Sequence, residues 1–124
     1  MNRYKRMALK VLSKSRRNLK KYYKVQRKVL NLVNVYFGPK YRSFDHKIMV
    51  GDREIPVRIF RPTKNETSGV IIFFHGGGWV TGNIDSYTNV CVNMANQTRN
   101  RVISVDYRLA PENPFPHGLE DCYY

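Results

Sequence analysis

No acidic residue occurs before Asp45, although the same 44 residues carry 14 lysines and arginines. The remainder of the 124-residue chain is close to neutral, with eight basic and nine acidic residues. The formal charge of +13 therefore belongs to an N-terminal arm joined to a near-neutral body. Other absences narrow the function. Cys91 and Cys122 are the only cysteines and form no Cys-x-x-Cys, so there is no disulfide framework, and a single disulfide is the alternative to two free thiols. Two free thiols in a reducing cytosol are expected. No apolar run reaches the ~18 residues of a membrane span, and the charged N-terminus lacks the apolar core of a secretory signal. Neither Gly-x-Gly-x-x-Gly nor Gly-x-x-x-x-Gly-Lys-[Ser/Thr] is present, so a nucleotide site is not expected. No internal repeat or low-complexity segment occurs.

What is present divides into a helical arm and an α/β body. From about Arg3 to Phe37, Tyr4, Met7, Val11, Leu19, Tyr22, Val25, Val29 and Leu32 share one side at 100° per residue, with most lysines and arginines opposite. This predicts an amphipathic helix, weakest over Ser13–Asn18 and stopped by Gly38-Pro39. "KIMV" and "IPVRIFRP" flank Gly51-Asp52 as a hairpin, and Pro56 points to an edge strand. "VIIFF" (Val70 to Phe74) is apolar throughout, the pattern of a strand covered on both faces. A helix capped by Asp85 should run to about Thr98, with Val90, Met94 and Cys91 inward, followed by the buried strand "RVISVDY". "RLAPENPFP" is a loop, and a last helix begins near His117. Strand, helix and strand in this order imply a parallel pair.

Three consecutive glycines, Gly76, Gly77 and Gly78, follow the first buried strand. Glycines at such a position let the backbone turn sharply and leave amide N–H groups bare. Fixed amides in a dry cleft stabilise developing negative charge, as in an oxyanion hole. A tight turn that binds nothing is the alternative reading of the glycines alone.

"HGGGW" at 75–79 followed by "DYRLAPENPFP" at 106–116 resembles the hormone-sensitive-lipase family of α/β-hydrolase esterases. The resemblance covers about Ser43 to Tyr124. It implies a carboxylic-ester hydrolase, working without metal or cofactor, in which the amides of Gly76 and Gly77 are the oxyanion donors and Gly78 completes the turn. It also implies that His75 shapes the loop and is not the catalytic base, and that Asp106, Tyr107 and Arg108 brace the loop. Trp79 is expected beside the acyl or alcohol pocket. For Asp106 to Arg108, a strand end with a solvated arginine is the competing reading.

The catalytic triad is missing. Serine occurs at 13, 15, 43, 68, 86 and 104, and none lies in Gly-x-Ser-x-Gly. Ser104, Asp106 and His117 follow the order of a triad, but Ser104 lies mid-strand, and His46 reads as a surface residue. The chain thus reads as an incomplete α/β-hydrolase fold: residues 1–40 a basic helical arm or cap segment, and residues 41–124 the N-terminal part of a hydrolase domain, truncated before the nucleophile elbow. Inactivity alone and self-association through the exposed edge of "VIIFF" are expected. The full-length parent would take a small-molecule or lipid-like ester. Residues 3–37 have three readings: a cap helix packing its apolar stripe on the body, an anchor to an anionic membrane, or a nucleic-acid- or calmodulin-like ligand. Sequence-specific nucleic-acid recognition is not expected, since no base-reading module accompanies the charge. A cytoplasmic protein, peripheral at a membrane, fits this pattern. The rival to a hydrolase fragment is a non-catalytic module that binds a membrane or partner.

Overall fold

A computed structural model describes residues 19–33, 38 and 40–124. The expected helix N-terminal to Leu19, its weak stretch at Ser13–Asn18 and Pro39 lie outside these residues.

Two nine-residue strands, β1 (Arg42–Val50) and β2 (Arg53–Arg61), form an antiparallel hairpin whose last ladder pair is Val50 with Arg53. Gly51 takes φ +59° at the first turn position, where the mirror-image turns that suit twisted hairpins need a positive φ. Strand β3 (Val70–Phe74) leads through a 3₁₀ turn at Asp85–Tyr87 and helix α2 (Thr88–Thr98) to β4 (Arg101–Val105). Strand β4 then inserts between the hairpin and β3, so the sheet order is β1-β2-β4-β3 with β3 and β4 parallel. Helix α3 (His117–Tyr123) follows the proline loop, and helix α1 (Leu19–Val33) precedes the sheet.

Alternation on β4 divides the core between the two sheet faces. Val102 joins Phe60, Cys91, Val92 and Ala95 beneath α2, while Val105 joins Ile55, Val57 and Tyr107 on the opposite face, where Cys122 of α3 packs. The sequence expectations need correction at five places. Pro56 lies in β2, an internal strand. It is accommodated because its carbonyl faces β4 and accepts the Asp106 amide, so its missing N–H falls on the same side, past the last β2–β4 pair at Val57–Val105. Val90 is exposed, and the inward face of α2 is Cys91, Val92 and Ala95. Asp85 caps no helix. Its carboxylate accepts from Arg58, and Asn83 with Ser86 exchange side-chain and backbone bonds across the 3₁₀ turn instead.

The fourth concerns α1, where the structure decides against one of the three readings, the cap helix that packs its apolar stripe on the body. Helix α1 touches the body through the side that carries Gln26 and Arg27: Gln26 is buried and Arg27, Tyr23 and Leu30 are half-buried, while Tyr22, Val25, Val29 and Leu32 are exposed. Arg27 explains the orientation. Its Nε donates to the Val80 carbonyl (2.5 Å), its Nη2 to the Ala110 carbonyl (2.7 Å), and both Nη atoms to the Glu112 carboxylate (2.8 and 2.9 Å). A planar guanidinium makes such a fork and a lysine cannot. The stripe's aliphatic periodicity carries no information about which surface it meets.

The fifth correction is the cover on "VIIFF". Ile71 and Phe73 pack toward α2, whereas Val70, Ile72 and Phe74 are exposed. Among the described residues, no strand pairs with the outer edge of β3. Gly69 O accepts the Arg101 amide, and in a parallel ladder this phase turns the amides of Ile71 and Phe73 toward β4 and those of Val70, Ile72 and Phe74 toward the open edge. The five edge residues carry no charge and no proline, the devices that usually protect an edge. Light scattering over a concentration series is therefore expected to show association that Ile72→Lys weakens. A strictly monomeric wild-type chain throughout the series would contradict this.

Candidate active site

The chain leaves β3 at Phe74 and turns through residues 75–82. Positive φ angles cluster there: +136° at Gly77, +62° at Gly78, +63° at Trp79 and +91° at Gly82. Glycine is required at 77 for space as well as conformation, since a Cβ would lie 2.0 Å from the Thr81 carbonyl oxygen. Trp79 pays for its left-handed backbone with strain of order 1–2 kcal/mol, which a bulky residue adopts only when its surroundings fix it. Its carbonyl accepts the Ala110 amide at 2.8 Å, and its ring lies on Tyr107 at 5.4 Å between centroids.

The hydrogen bonds of this turn are one-sided. The Gly77 carbonyl accepts from the Val80 amide (3.3 Å), the Thr81 amide (3.0 Å) and Thr81 Oγ1 (3.0 Å). The Gly76 carbonyl sits 3.0 Å from His75 Nδ1. By contrast, the amides of Gly76, Gly77 and Gly78 donate to no group among the described residues. The three glycines are exposed and border a hollow of ≈ 290 Å³ lined also by Phe74, His75, Trp79 and Tyr107. A row of unpaired N–H groups in a concave surface offers partial positive charge to an anionic oxygen.

Two tyrosines hold the loop from behind. His75 is only 3% exposed and stacks on Tyr107, with centroids 4.3 Å apart and planes 16° from parallel. Tyr87 also stacks on it, at 5.6 Å, and meets Phe73. The Tyr107 hydroxyl donates to the His75 carbonyl at 2.5 Å. Burial pushes the Tyr107 phenol up to about 12, so it remains a donor at neutral pH. Because the Gly76 carbonyl can only accept, Nδ1 of His75 carries the hydrogen. Nε2 is then a buried acceptor without a partner among the described residues. The ring is thus enclosed and committed to the loop. Tyr87 was not singled out from the sequence, and its hydroxyl lies 3.0 Å from where a Cβ at Gly76 would stand. Thr81 was missed as well. No motif marks either residue; both act through a loop closure that the sequence does not display.

The other expected bracing residues are near the loop but act differently. Burial holds the Asp106 carboxyl above its ordinary value, and the nearby His75 and a bond from the Ile84 backbone offset this only in part. Arg108 makes no hydrogen bond to the glycine loop among the described residues. Its backbone amide and Nε both donate to Asp121 Oδ2 (2.9 Å each), and Nη2 donates to Asp121 Oδ1 at 3.0 Å. It therefore fastens α3 to the end of β4, and Arg53 adds a second contact to Asp121 at 3.3 Å. Gly118 permits this approach, since a Cβ there would lie 2.7 Å from the Arg108 carbonyl oxygen and 3.3 Å from the Trp79 ring. Trp79 itself separates the glycine hollow from an apolar hollow of ≈ 340 Å³ lined by Ala110, Phe115, Gly118 and Leu119.

The formal Ser104–Asp106–His117 series does not assemble. Ser104 is 0% exposed beneath α2 beside Cys91, whose thiol burial pushes up to about 11. His117 opens α3, which packs on the other face of the sheet. His46 lies exposed on β1.

Comparison with known proteins adds independent findings. Residues 71–124 match a family model described as alpha/beta hydrolase fold. An arylesterase of Saccharolobus solfataricus is 43% identical over 79 residues, covering 64% of this chain and 26% of that protein. Carboxylic ester hydrolase LipN of Mycobacterium tuberculosis is 41% identical over 70 residues, covering 56% of this chain and 19% of that protein. Among solved structures, an arylesterase superposes with a TM-score of 0.77 at 34% identity, over 99% of this chain and 42% of that one. An esterase from Pyrobaculum calidifontis gives 0.72 at 36% identity, over 82% and 35%. The chain thus spans about a quarter of the arylesterase sequence it matches.

Two outcomes follow from this geometry. Gly77→Ala is expected to destabilise the chain by more than Gly78→Ala, because only the former meets backbone. At Gly78 the cost should stay near the ~1–2 kcal/mol of a left-handed alanine. Equal midpoints for the two variants in urea would contradict the assignment. The second outcome concerns acid. Burial alone would raise the Asp121 carboxyl, but the bonds from Arg108 outweigh it and hold the group below its ordinary value. A depressed folded pKa contributes stability above the unfolded carboxylate value of about 4, and that contribution is lost as pH falls through the folded value. Asp121→Asn is expected to flatten the decline of melting temperature in acid; an unchanged decline would show that the pair contributes nothing.

Proposed function

We propose, from the premise that this chain belongs to the hormone-sensitive-lipase-like family of α/β-hydrolase esterases, that its residues 75–79 are the oxyanion site of a carboxylic-ester hydrolase. The observation that carries this reading is the one-sided bonding of the loop: the Gly76 and Gly77 carbonyls are occupied and the amides of Gly76, Gly77 and Gly78 are not. Attack on an ester carbonyl places negative charge on the former carbonyl oxygen. Amides fixed beforehand receive that charge without reorganising, and one such donor contributes roughly 3 kcal/mol to the transition state. His75 and Tyr107 hold the donors in position, and Trp79 offers an apolar wall to one arm of the ester.

The covalent half of the reaction has no residue here. No serine of the 124 residues lies in a Gly-x-Ser-x-Gly elbow, and the nearest formal alternative, Ser104, is sealed in the core. The nucleophile, its histidine and their acid belong, in this reading, to polypeptide outside these residues. Without a nucleophile the donors can assist only direct attack by water, so these 124 residues alone form no acyl-enzyme and give only slow residual hydrolysis. A second reading, a binding module without catalysis, draws on the exposed apolar stripe of α1.

The test has two parts. The chain is incubated with p-nitrophenyl acetate and, separately, with a fluorophosphonate; neither turnover above slow residual hydrolysis nor a serine adduct is expected, and an adduct on any serine here would overturn the missing-nucleophile reading. Amide resonances are then followed while phenylphosphonate is added. Downfield movement of the Gly76, Gly77 and Gly78 protons is expected, lost in Gly77→Ala. Unmoved glycine resonances at saturating anion would refute the oxyanion role.

A further inference from the structure

Helix α1 docks by one side and displays the other. Tyr23, Gln26, Arg27 and Leu30 form the buried or half-buried side, fixed by the Arg27 fork on Val80, Ala110 and Glu112. At about 100° per residue, Val25, Val29 and Leu32 fall within roughly 60° of one another on the opposite side. They are 59%, 36% and 73% exposed. Exposed Lys24 and Lys28 flank this row on one side, and helix α1 contains no acidic residue. The row therefore combines apolar surface with unbalanced positive charge, within an arm whose 44 residues carry no acid at all.

We infer that the outward row Val25–Val29–Leu32 with Lys24 and Lys28 is a docking face for an anionic lipid surface. Charge complementarity selects this occupant. A second copy of the helix would bring the same lysines against one another, a like-charge contact that no acid on either helix relieves. A lipid surface rich in phosphate headgroups neutralises them, and its acyl boundary takes the aliphatic row. No helix among the described residues is long and apolar enough to cross a membrane, so the contact lies in the interface plane. Because Arg27 bonds to the carbonyl of Val80, next to Trp79, a helix lying on the bilayer holds the glycine loop near the lipid–water boundary. The inference does not depend on ester chemistry, and its test leaves the glycine loop untouched.

The full chain is sedimented with phosphatidylcholine vesicles, with and without phosphatidylglycerol, at low and high salt, against a lipid-free control. Binding is expected only to the anionic vesicles and is expected to weaken with salt. Lys24→Gln and Lys28→Gln should each lower the partition constant about fivefold. Leu32→Glu should lower it roughly tenfold or more, since an aliphatic side chain leaves the interface. Circular dichroism identifies any variant that fails to fold, and Leu32→Gln, which removes the aliphatic group without adding charge, then replaces Leu32→Glu. No binding to anionic vesicles at low salt overturns the inference. So does binding that the lysine changes reduce and the Leu32 changes leave intact, which would place the contact elsewhere on the arm. Lipid-free association abolished by Leu32→Glu would assign the face to a second copy and overturn it equally.

Discussion

Everything at the candidate site depends on which way the peptide groups of Gly76 and Gly77 face. Their carbonyls turn inward, toward the His75 ring and toward the amides of Val80 and Thr81. Each peptide group is planar, so fixing a carbonyl fixes the following amide on the opposite side. Inward carbonyls at 76 and 77 thereby commit the amides of Gly77 and Gly78 outward. The lack of a Cβ at 77 lets the Thr81 carbonyl approach closely enough for this arrangement to close. The enclosed histidine is a structural device in this account: stacked against two tyrosines and bonded through Nδ1, it orients the first of these peptide groups.

Around that turn the structure uses two strong ion-pair clamps at the ends of elements. Arg108 and Asp121 tie α3 to the end of β4, and Arg27 ties α1 to Val80 within the turn and to Ala110 and Glu112 of the proline loop. Both clamps are bidentate guanidinium–carboxylate contacts with additional carbonyl acceptors, the geometry in which such pairs exceed an ordinary surface salt bridge. Trp79 lies between them, with its backbone held by Ala110 and its ring against Tyr107. The loop is thus fixed by groups that converge from α1, β4 and the proline loop, and not by its own sequence alone.

The strands themselves and the position of the glycine turn were legible because apolar runs, glycines and prolines report local backbone requirements. Hence the parallel pair follows from "VIIFF" and "RVISVDY" with a helix between them, whereas no local pattern says that β4 inserts between the hairpin and β3. Pattern reading failed where a tertiary partner decides. Pro56 looked like an edge residue because the sequence does not say on which side its missing N–H falls. Asp85 looked like a cap, yet Arg58 takes its carboxylate. The sequence left the orientation of α1 open because an apolar stripe has no address, whereas Arg27 finds specific acceptors. Arg108 was assigned to the glycine loop by resemblance, and its partners on α3 could be found only from coordinates.

The central claim is that the triplet's amides are free while its carbonyls are bound. Residue-resolved hydrogen exchange reads this directly. The account predicts near-unprotected exchange at Gly76, Gly77 and Gly78, with measurable protection at the neighbouring Val80 and Thr81 amides that bond to Gly77. Protection of the three glycine amides equal to that of Val80 and Thr81 would contradict it.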